Sequence, residues 1–428
     1  MPFYATALVL KKADLGVAIV DIDSIGFEAD FGSRIMEAVV SLTGLSPERV
    51  RLSWTHTHSG PNTFRLKSIS QGLDMILSYM EALPLRIASA VWKAQQNLKP
   101  VRLAASSGKC ELNVNRRLRL PDGGIVVGRN WEGPVDPTVR VVRFDDLEEN
   151  PLATIVHYAC HPTTMAWQCQ HFTPDYPGAA RQTVERAMGG LCLFLQGAAG
   201  DLTPRNGFTG DLKVYRRLGL RLGLEAAKVA SGLETLPRKE QFQKVLQSGA
   251  PIVLYEDAPV EPLEAELQVV WRVLKLPLKA RRPPAELEAE AEAARADLRR
   301  VREQGDEDEI RRATAAATQA GWRADYSRLY YGKSHFDWPL QGIRIGPVAM
   351  LAIAGEPFTE INQAIVAASP FAHTLFSGYS HGGFGYIPSR KAAEEGGYEV
   401  EASPFSAAAS DLIVSDSLKV LEELAGRL

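Results

Sequence analysis

Two histidines with one residue between them stand in Trp54-Thr55-His56-Thr57-His58-Ser59-Gly60-Pro61, directly after an apolar β run and in a loop closed by Gly-Pro. Imidazoles bind divalent metals and exchange protons near neutral pH, and strand-end loops are where α/β folds build active sites. Taken alone, such a pair more often serves a polar loop as hydrogen-bonding groups. A second cluster shifts that balance. His157-Tyr158-Ala159-Cys160-His161-Pro162-Thr163-Thr164 places His161 just past an apolar strand and before proline, where a ligand is expected. His157 falls inside the strand and reads as a core histidine bonded to backbone. The turn Phe172 to Gly178 adds one carboxylate, Asp175. Two further strand ends carry polar groups. Gln196 to Arg205 contains Thr203 among small residues that let the backbone approach a ligand. Ile353-Ala354-Gly355-Glu356-Pro357-Phe358 sets a carboxylate between a strand and a helix N-terminus. Three or four N and O ligands suffice for a catalytic zinc site. The residues themselves therefore point to a metallohydrolase, and spacing takes the argument no further.

The elements that must position these groups alternate strand and helix. Strands are expected at Ala5 to Leu10, Gly16 to Ile22 and Val50 to Trp54, with helices over Ser33 to Leu45 and Met75 to Gln96. The middle of the chain repeats the theme with strands Val139 to Phe144, Ala153 to Tyr158 and Cys192 to Leu195, and a helix Ala179 to Met188. Strands Leu340 to Ile345 and Val348 to Ile353 precede a helix from Pro357 to Ala368. This alternation indicates an α/β fold. Residues 284–330, rich in Ala, Glu and Arg, read as a helical hairpin insertion with a solvated face and no expected part in catalysis. With no internal repeat and no low-complexity linker, one domain over 1–428 is the economical reading.

Composition narrows the class. The 48 Lys plus Arg against 51 Asp plus Glu leave a net charge of −3, with no basic stripe interleaved with aromatics, so nucleic acid is not the expected partner. Cys110, Cys160, Cys169 and Cys192 show no CxxC spacing and read as free thiols. No apolar run is long enough for a transmembrane helix. Phe3 to Leu10 is too short for a signal peptide, so the chain as it stands is expected in the cytoplasm. It opens directly on a strand, as a trimmed chain would, which leaves secretion open.

Taken in order, THTHSGP at 55–61, NRR at 115–117, HPTTM at 161–165, GDLTP at 200–204, AGEPF at 354–358, GYIPS at 385–389 and GGYEV at 396–400 resemble the N-terminal catalytic domain of the neutral, non-lysosomal ceramidase family. The series spans most of the chain. The resemblance implies stacked mixed β-sheets flanked by helices, and Zn²⁺ held by His56, His161, Glu356 and Tyr386. It places His58, Arg116 and Tyr398 against the substrate carbonyl, with Arg117 as the alternative to Arg116. Tyr398 follows Tyr386 by the family's spacing. Thr203 stands where ceramidases carry serine, and His381 where Asn is common. A first strand of Gly-Val-Ala followed by Asp-Ile-Thr-Pro, and a C-terminal β-sandwich, have no counterpart in the sequence.

The implied activity is hydrolysis of a linear amide bond by a metal-activated water, with His58 or Asp175 as proton carrier. The implied substrate is a small N-acyl amide or lipid-like molecule, and soluble or short-chain compounds are expected ahead of membrane-embedded ceramide. A zinc esterase or lactonase would need the same groups. A non-catalytic binding relative would have lost at least one of the four ligands, and all four are present.

Overall fold

Three four- or three-stranded sheets share one interior. In the computed structural model, which describes residues 1–64, 71–165, 171–260, 264–382 and 385–427, Ala5–Lys12, Leu15–Ile22 and Val50–Trp54 form the first sheet. Arg102–Lys109, Thr138–Asp145, Pro151–Tyr158 and Leu191–Gln196 form the second, and Leu267–Pro277, His335–Ile345, Val348–Ile353 and His373–Ser377 the third. Each sheet is mixed: its last pair is parallel and the rest antiparallel. A parallel pair needs a crossover, usually helical. Ala29–Thr43, Asp175–Met188 and Thr359–Ala368 lie in the three crossovers.

The apolar pattern explains the layering. Val17 and Ile19 of the first sheet, Val142, Ile155, Leu193 and Leu195 of the second, and Ile343, Met350 and Leu375 of the third meet in a common core. Each such side chain stabilises the fold by about 1.5–3 kcal/mol on leaving water, as an upper estimate. The alternate residues turn outward onto helices. Ala18, Val20 and Leu52 pack on Ile35, Val39, Ile87 and Val91. Val156 and Phe194 pack on Val184, Leu218 and Leu222. Leu351 and Phe376 pack on Ile361, Ile365, Ile413 and Leu421. Strands buried on both faces read as continuous apolar runs, which is how they were recognised in the sequence.

Val50–Trp54 and Val348–Ile353 have the expected bounds, and the hairpin forms as Pro284–Gln304 and Glu307–Tyr330. The helix expected from Pro357 begins at Thr359 instead. Glu356 and Pro357 are drawn into a two-residue parallel ladder with Tyr386 and Ile387, because Glu356 N donates to Gly385 O (3.1 Å) and Phe358 N to Ile387 O (3.1 Å). Several elements have no counterpart in the sequence reading. These include the sheet of Leu202–Pro204, Asn113–Arg119 and Ile125–Asn130, the helices Leu212–Ser231 and Ala408–Leu424, and the exposed ribbon Arg238–Ser248 with Ala250–Pro259. Cys169 and Gly383 lie outside the described residues.

Candidate active site

The parallel strands of all three sheets deliver their carboxyl ends to one place. Trp54 N donates to Tyr379 O (3.0 Å) and His381 N to Leu52 O (2.9 Å). Isolated bridges Ser53↔Ser380 and Gly197↔Ser377 join the sheets there. His56 follows Val50–Trp54, His161 follows Pro151–Tyr158, and Glu356 follows Val348–Ile353. Carboxyl ends of strands are where open α/β sheets bind ligands.

The two imidazoles are held in the same way. His56 Nδ1 lies 2.6 Å from Ile25 O, and His161 Nδ1 lies 2.6 Å from Ala199 O. A carbonyl at that distance fixes the proton on Nδ1 and leaves Nε2 with a free lone pair. Both Nε2 atoms face one oxygen, Glu356 Oε2, at 3.5 and 3.0 Å. Burial, the largest influence, lowers the pKa of His56 and His161 well below the ordinary value. Both rings are therefore neutral at pH 7, the form that ligates metal. His56 reaches this position with φ of 65°, a costly conformation for a side chain of its size.

His58 completes a three-histidine group whose ligand atoms all lie within 4.8 Å of one another, a candidate metal-binding group. It differs from its neighbours in opening to solvent while protein crowds it on the other sides. That crowding is the main reason its pKa drops to about 4, with Glu356 opposing and Arg116 reinforcing the shift.

Glu356 is the direct ladder partner of Tyr386, so the two side chains leave the ladder on the same face. The Tyr386 phenol is pushed well above its usual pKa by burial first and then by the Glu356 carboxylate. The Arg116 guanidinium lies 5.2 Å above its ring, and the Tyr398 ring is 5.7 Å away.

Arg116 and Arg117 have different surroundings. Both bind the buried Glu399, Arg116 through Nε at 2.8 Å and Arg117 through Nη1 at 3.0 Å. Arg117 spends Nη2 on Gly396 O (2.8 Å), which ties down the loop before Tyr398. Arg116 keeps a buried Nη2 with no partner among the described residues. Burial works against the Arg116 charge, but Tyr386, Glu399, Glu356 and Tyr398 outweigh it and hold its pKa well above the ordinary value.

Two of the anticipated catalytic residues are held by hydrogen bonds to neighbouring protein groups. Asp175 is fully buried and accepts N–H bonds from Thr164 (2.9 Å) and Met165 (3.3 Å) on one oxygen and from Tyr176 (2.6 Å) on the other. A carboxylate so occupied clamps the HPTTM loop. Thr203 is buried, with its hydroxyl 3.2 Å from that of Thr163. The small residues beside it serve a close protein contact. A Cβ on Gly200 would meet Glu356 O at 2.4 Å, and that closeness lets Gly200 N donate to Pro357 O (2.9 Å). His157 is the core histidine expected, with Nε2 3.0 Å from Phe376 O. His381 packs edge-on to Trp271, centroids 5.1 Å apart.

Sequence reasoning missed three contributors. Asp201 accepts from Thr359 N and Oγ1 (2.8 and 2.9 Å) and from Asn115 Nδ2 (2.9 Å), which locks three of the motifs together. Helix Glu307–Tyr330, read as solvated surface, braces the tyrosine loop from its inner side. Trp322 lies 5.6 Å from the Tyr398 ring, and the Tyr326 hydroxyl donates to Ala402 O (2.9 Å). Tyr379 packs 4.6 Å from the His56 ring. Its signal was available, since it follows its strand by two residues as His56 does.

The donor set fits a divalent metal. His161 Nε2, Glu356 Oε2, Arg116 Nη2 and the Tyr379 hydroxyl are buried without hydrogen-bond partners among the described residues. Unpaired buried polar atoms are rare, and two of these face each other across 3.0 Å. Neutral imidazoles and a carboxylate are the N and O ligands zinc takes.

The family model for neutral/alkaline non-lysosomal ceramidase, N-terminal, matches residues 1–209. His56, His58, Arg116 and His161 fall inside the match, and Glu356, Tyr386 and Tyr398 beyond it. Neutral ceramidase of Pseudomonas aeruginosa is 26% identical over 469 aligned positions, covering 98% of this chain and 67% of that protein. Neutral ceramidase A of Dictyostelium discoideum is 26% identical over 184, covering 40% of this chain and 26% of that protein. The chain thus spans about two thirds of the bacterial ceramidase and about a quarter of the Dictyostelium one. In fold, it superposes on the crystal structure of the Pseudomonas enzyme with a TM-score of 0.67 at 20% identity, covering 98% of this chain and 68% of that one. It also matches a ceramidase complexed with C2, with a TM-score of 0.64 at 18% identity, covering 98% and 69%. No helix among the described residues is long and apolar enough to cross a membrane.

Proposed function

We propose that the chain is a zinc-dependent hydrolase of N-acyl amide bonds with ceramidase-like chemistry. The observation that carries this reading is the convergence of His56 Nε2 and His161 Nε2 on Glu356 Oε2, three residues spread over 300 positions. His56, His161, Glu356 and Tyr386 would hold the ion, which supplies a Lewis acid and a nucleophilic water at neutral pH.

The rest of the work falls to the chain's own groups. Arg116 presents the unpaired Nη2 to the carbonyl oxygen of the substrate, and its Nε bond to the buried Glu399 fixes the direction in which it points. The Tyr398 hydroxyl is the second donor to that oxygen. Each preorganised donor is worth roughly 3 kcal/mol as negative charge develops. His58, neutral at pH 7 and open to solvent, takes up a proton and returns it to the departing amine. Soluble or short-chain N-acyl compounds are the substrates favoured.

The test joins metal analysis to a panel of N-acyl amides and matched esters of increasing acyl length. About one zinc per chain, with amides turned over, is the expected result. Protein never exposed to chelator that contains no transition metal, or that cleaves esters alone, overturns the proposal. Long-chain ceramide turned over faster than every short amide removes the substrate preference.

A further inference from the structure

A fourth strand end brings to this centre a residue to which neither the motifs nor the proposed chemistry gives a role. Tyr379 follows His373–Ser377 by two residues. It is 1% exposed, and its ring lies 4.6 Å from that of His56 and 5.9 Å from that of His161. Its φ of 54° is a genuine outlier for a bulky side chain. Two main-chain bonds hold it there: Tyr379 N donates to Gly355 O (2.8 Å) and Trp54 N donates to Tyr379 O (3.0 Å). One strained residue is therefore fastened both to the strand end before His56 and to the residue before Glu356.

The ring alone would explain the packing, and phenylalanine would supply it without burying an oxygen. That oxygen has no hydrogen-bond partner among the described residues. The ring that carries it lies against two of the imidazoles assigned to the ion.

We propose that Tyr379 is a second phenol of the metal centre, whose oxygen helps hold the ion beside His56, His161 and Glu356. The inference rests on the metal reading given above, and it adds Tyr379 to Tyr386 as a holder of the ion.

Tyr379→Phe keeps the ring and removes the oxygen. Zinc affinity, measured by competition with a chromophoric chelator, should fall by about 10-fold, the low end for a supporting group of a metal site. The metal-free variant should melt at or above the wild-type temperature, because an unpaired buried oxygen is gone. Equal zinc affinity in the two proteins overturns the proposal, since the oxygen then has no part in the centre. A metal-free variant that melts lower also overturns it, by making the hydroxyl a structural partner. Wild-type protein that binds no zinc sinks the metal reading itself, a result distinct from both.

Discussion

The helical hairpin 284–330 and the histidine cleft handle charge in opposite ways. On the hairpin, arginines pair with acids three or four residues away, as in Arg295–Glu292 (2.8 Å), Arg300–Asp297 (2.6 Å) and Arg328–Asp325 (3.0 Å), all in contact with water. Its second helix starts with a capping box from Asp306 and Glu309. In and around the cleft, charges are buried and their partners are remote in sequence. Arg116 meets Glu399, 283 residues on, and Arg181 bridges Asp21 (2.8 Å) and Asp23 (2.5 Å). Exposed pairs contribute about 0–1 kcal/mol each and are replaceable. Breaking a buried pair leaves an uncompensated charge at about 3–5 kcal/mol. The hairpin is thus stabilised by many small local terms, and the cleft by a few large ones that fail singly.

Substitutions can break this contrast at successively finer levels. The largest effect is expected at the ligands: His161→Ala should take metal content from about one ion per chain to near zero by elemental analysis, with turnover lost. Arg117→Ala comes next. It strips Glu399 of one of two cations and the 396 loop of its anchor, and urea unfolding should register a loss of about 3–5 kcal/mol. A loss below 1 kcal/mol would put Arg117 in the same class as the hairpin arginines. Tyr398→Phe should leave zinc content intact and lower kcat about 100-fold, roughly 2.7 kcal/mol. If metal is lost instead, Tyr398 and Tyr386 have exchanged roles.

His157 probes the same contrast through pH. Burial, the leading cause, lowers its pKa to about 3, so the unfolded chain takes up a proton below about pH 6.5 that the folded chain refuses. Stability is therefore lost as pH falls from about 6.5 toward 3, and this one group accounts for about 2 kcal/mol between pH 7 and 5. His157→Gln should remove that share of the acid loss in paired unfolding curves. An unchanged pH dependence would take His157 out of the buried class. Arg299→Ala, on the hairpin surface, should shift stability by no more than about 0.5 kcal/mol.

The same division explains what could be read in the sequence. The hairpin was legible to within a residue or two because its causes are local: composition, the Gly305-Asp306 break and helix-period charge. Strands buried on both faces were legible as apolar runs. The cleft could be read only as a set of polar residues at strand ends, since nothing in the spacing of His56, His161 and Glu356 states that they share an oxygen. Arg116 and Arg117 are adjacent and chemically identical, and only the remote Glu399 and Gly396 distinguish them. The three backbone N–H groups that bind Asp175 are invisible in a string of letters. Strands in residues 102–130 were missed because polar residues such as Asn113, Asn115 and Arg116 are buried there by tertiary contacts that override β propensity.

The two-residue ladder of Glu356 and Tyr386 sets the register of the tyrosine on the cleft side. Ser377 is likewise fixed by register, on Val348–Ile353, and Tyr379 and His381 are tied by main-chain bonds to Trp54, Gly355 and Leu52. A slip of one residue at Tyr386 itself would turn its side chain to the opposite face. The ladder is therefore a point at which a single-residue insertion or deletion is closed to evolution and to a protein engineer alike, since it would take the phenol out of the cleft.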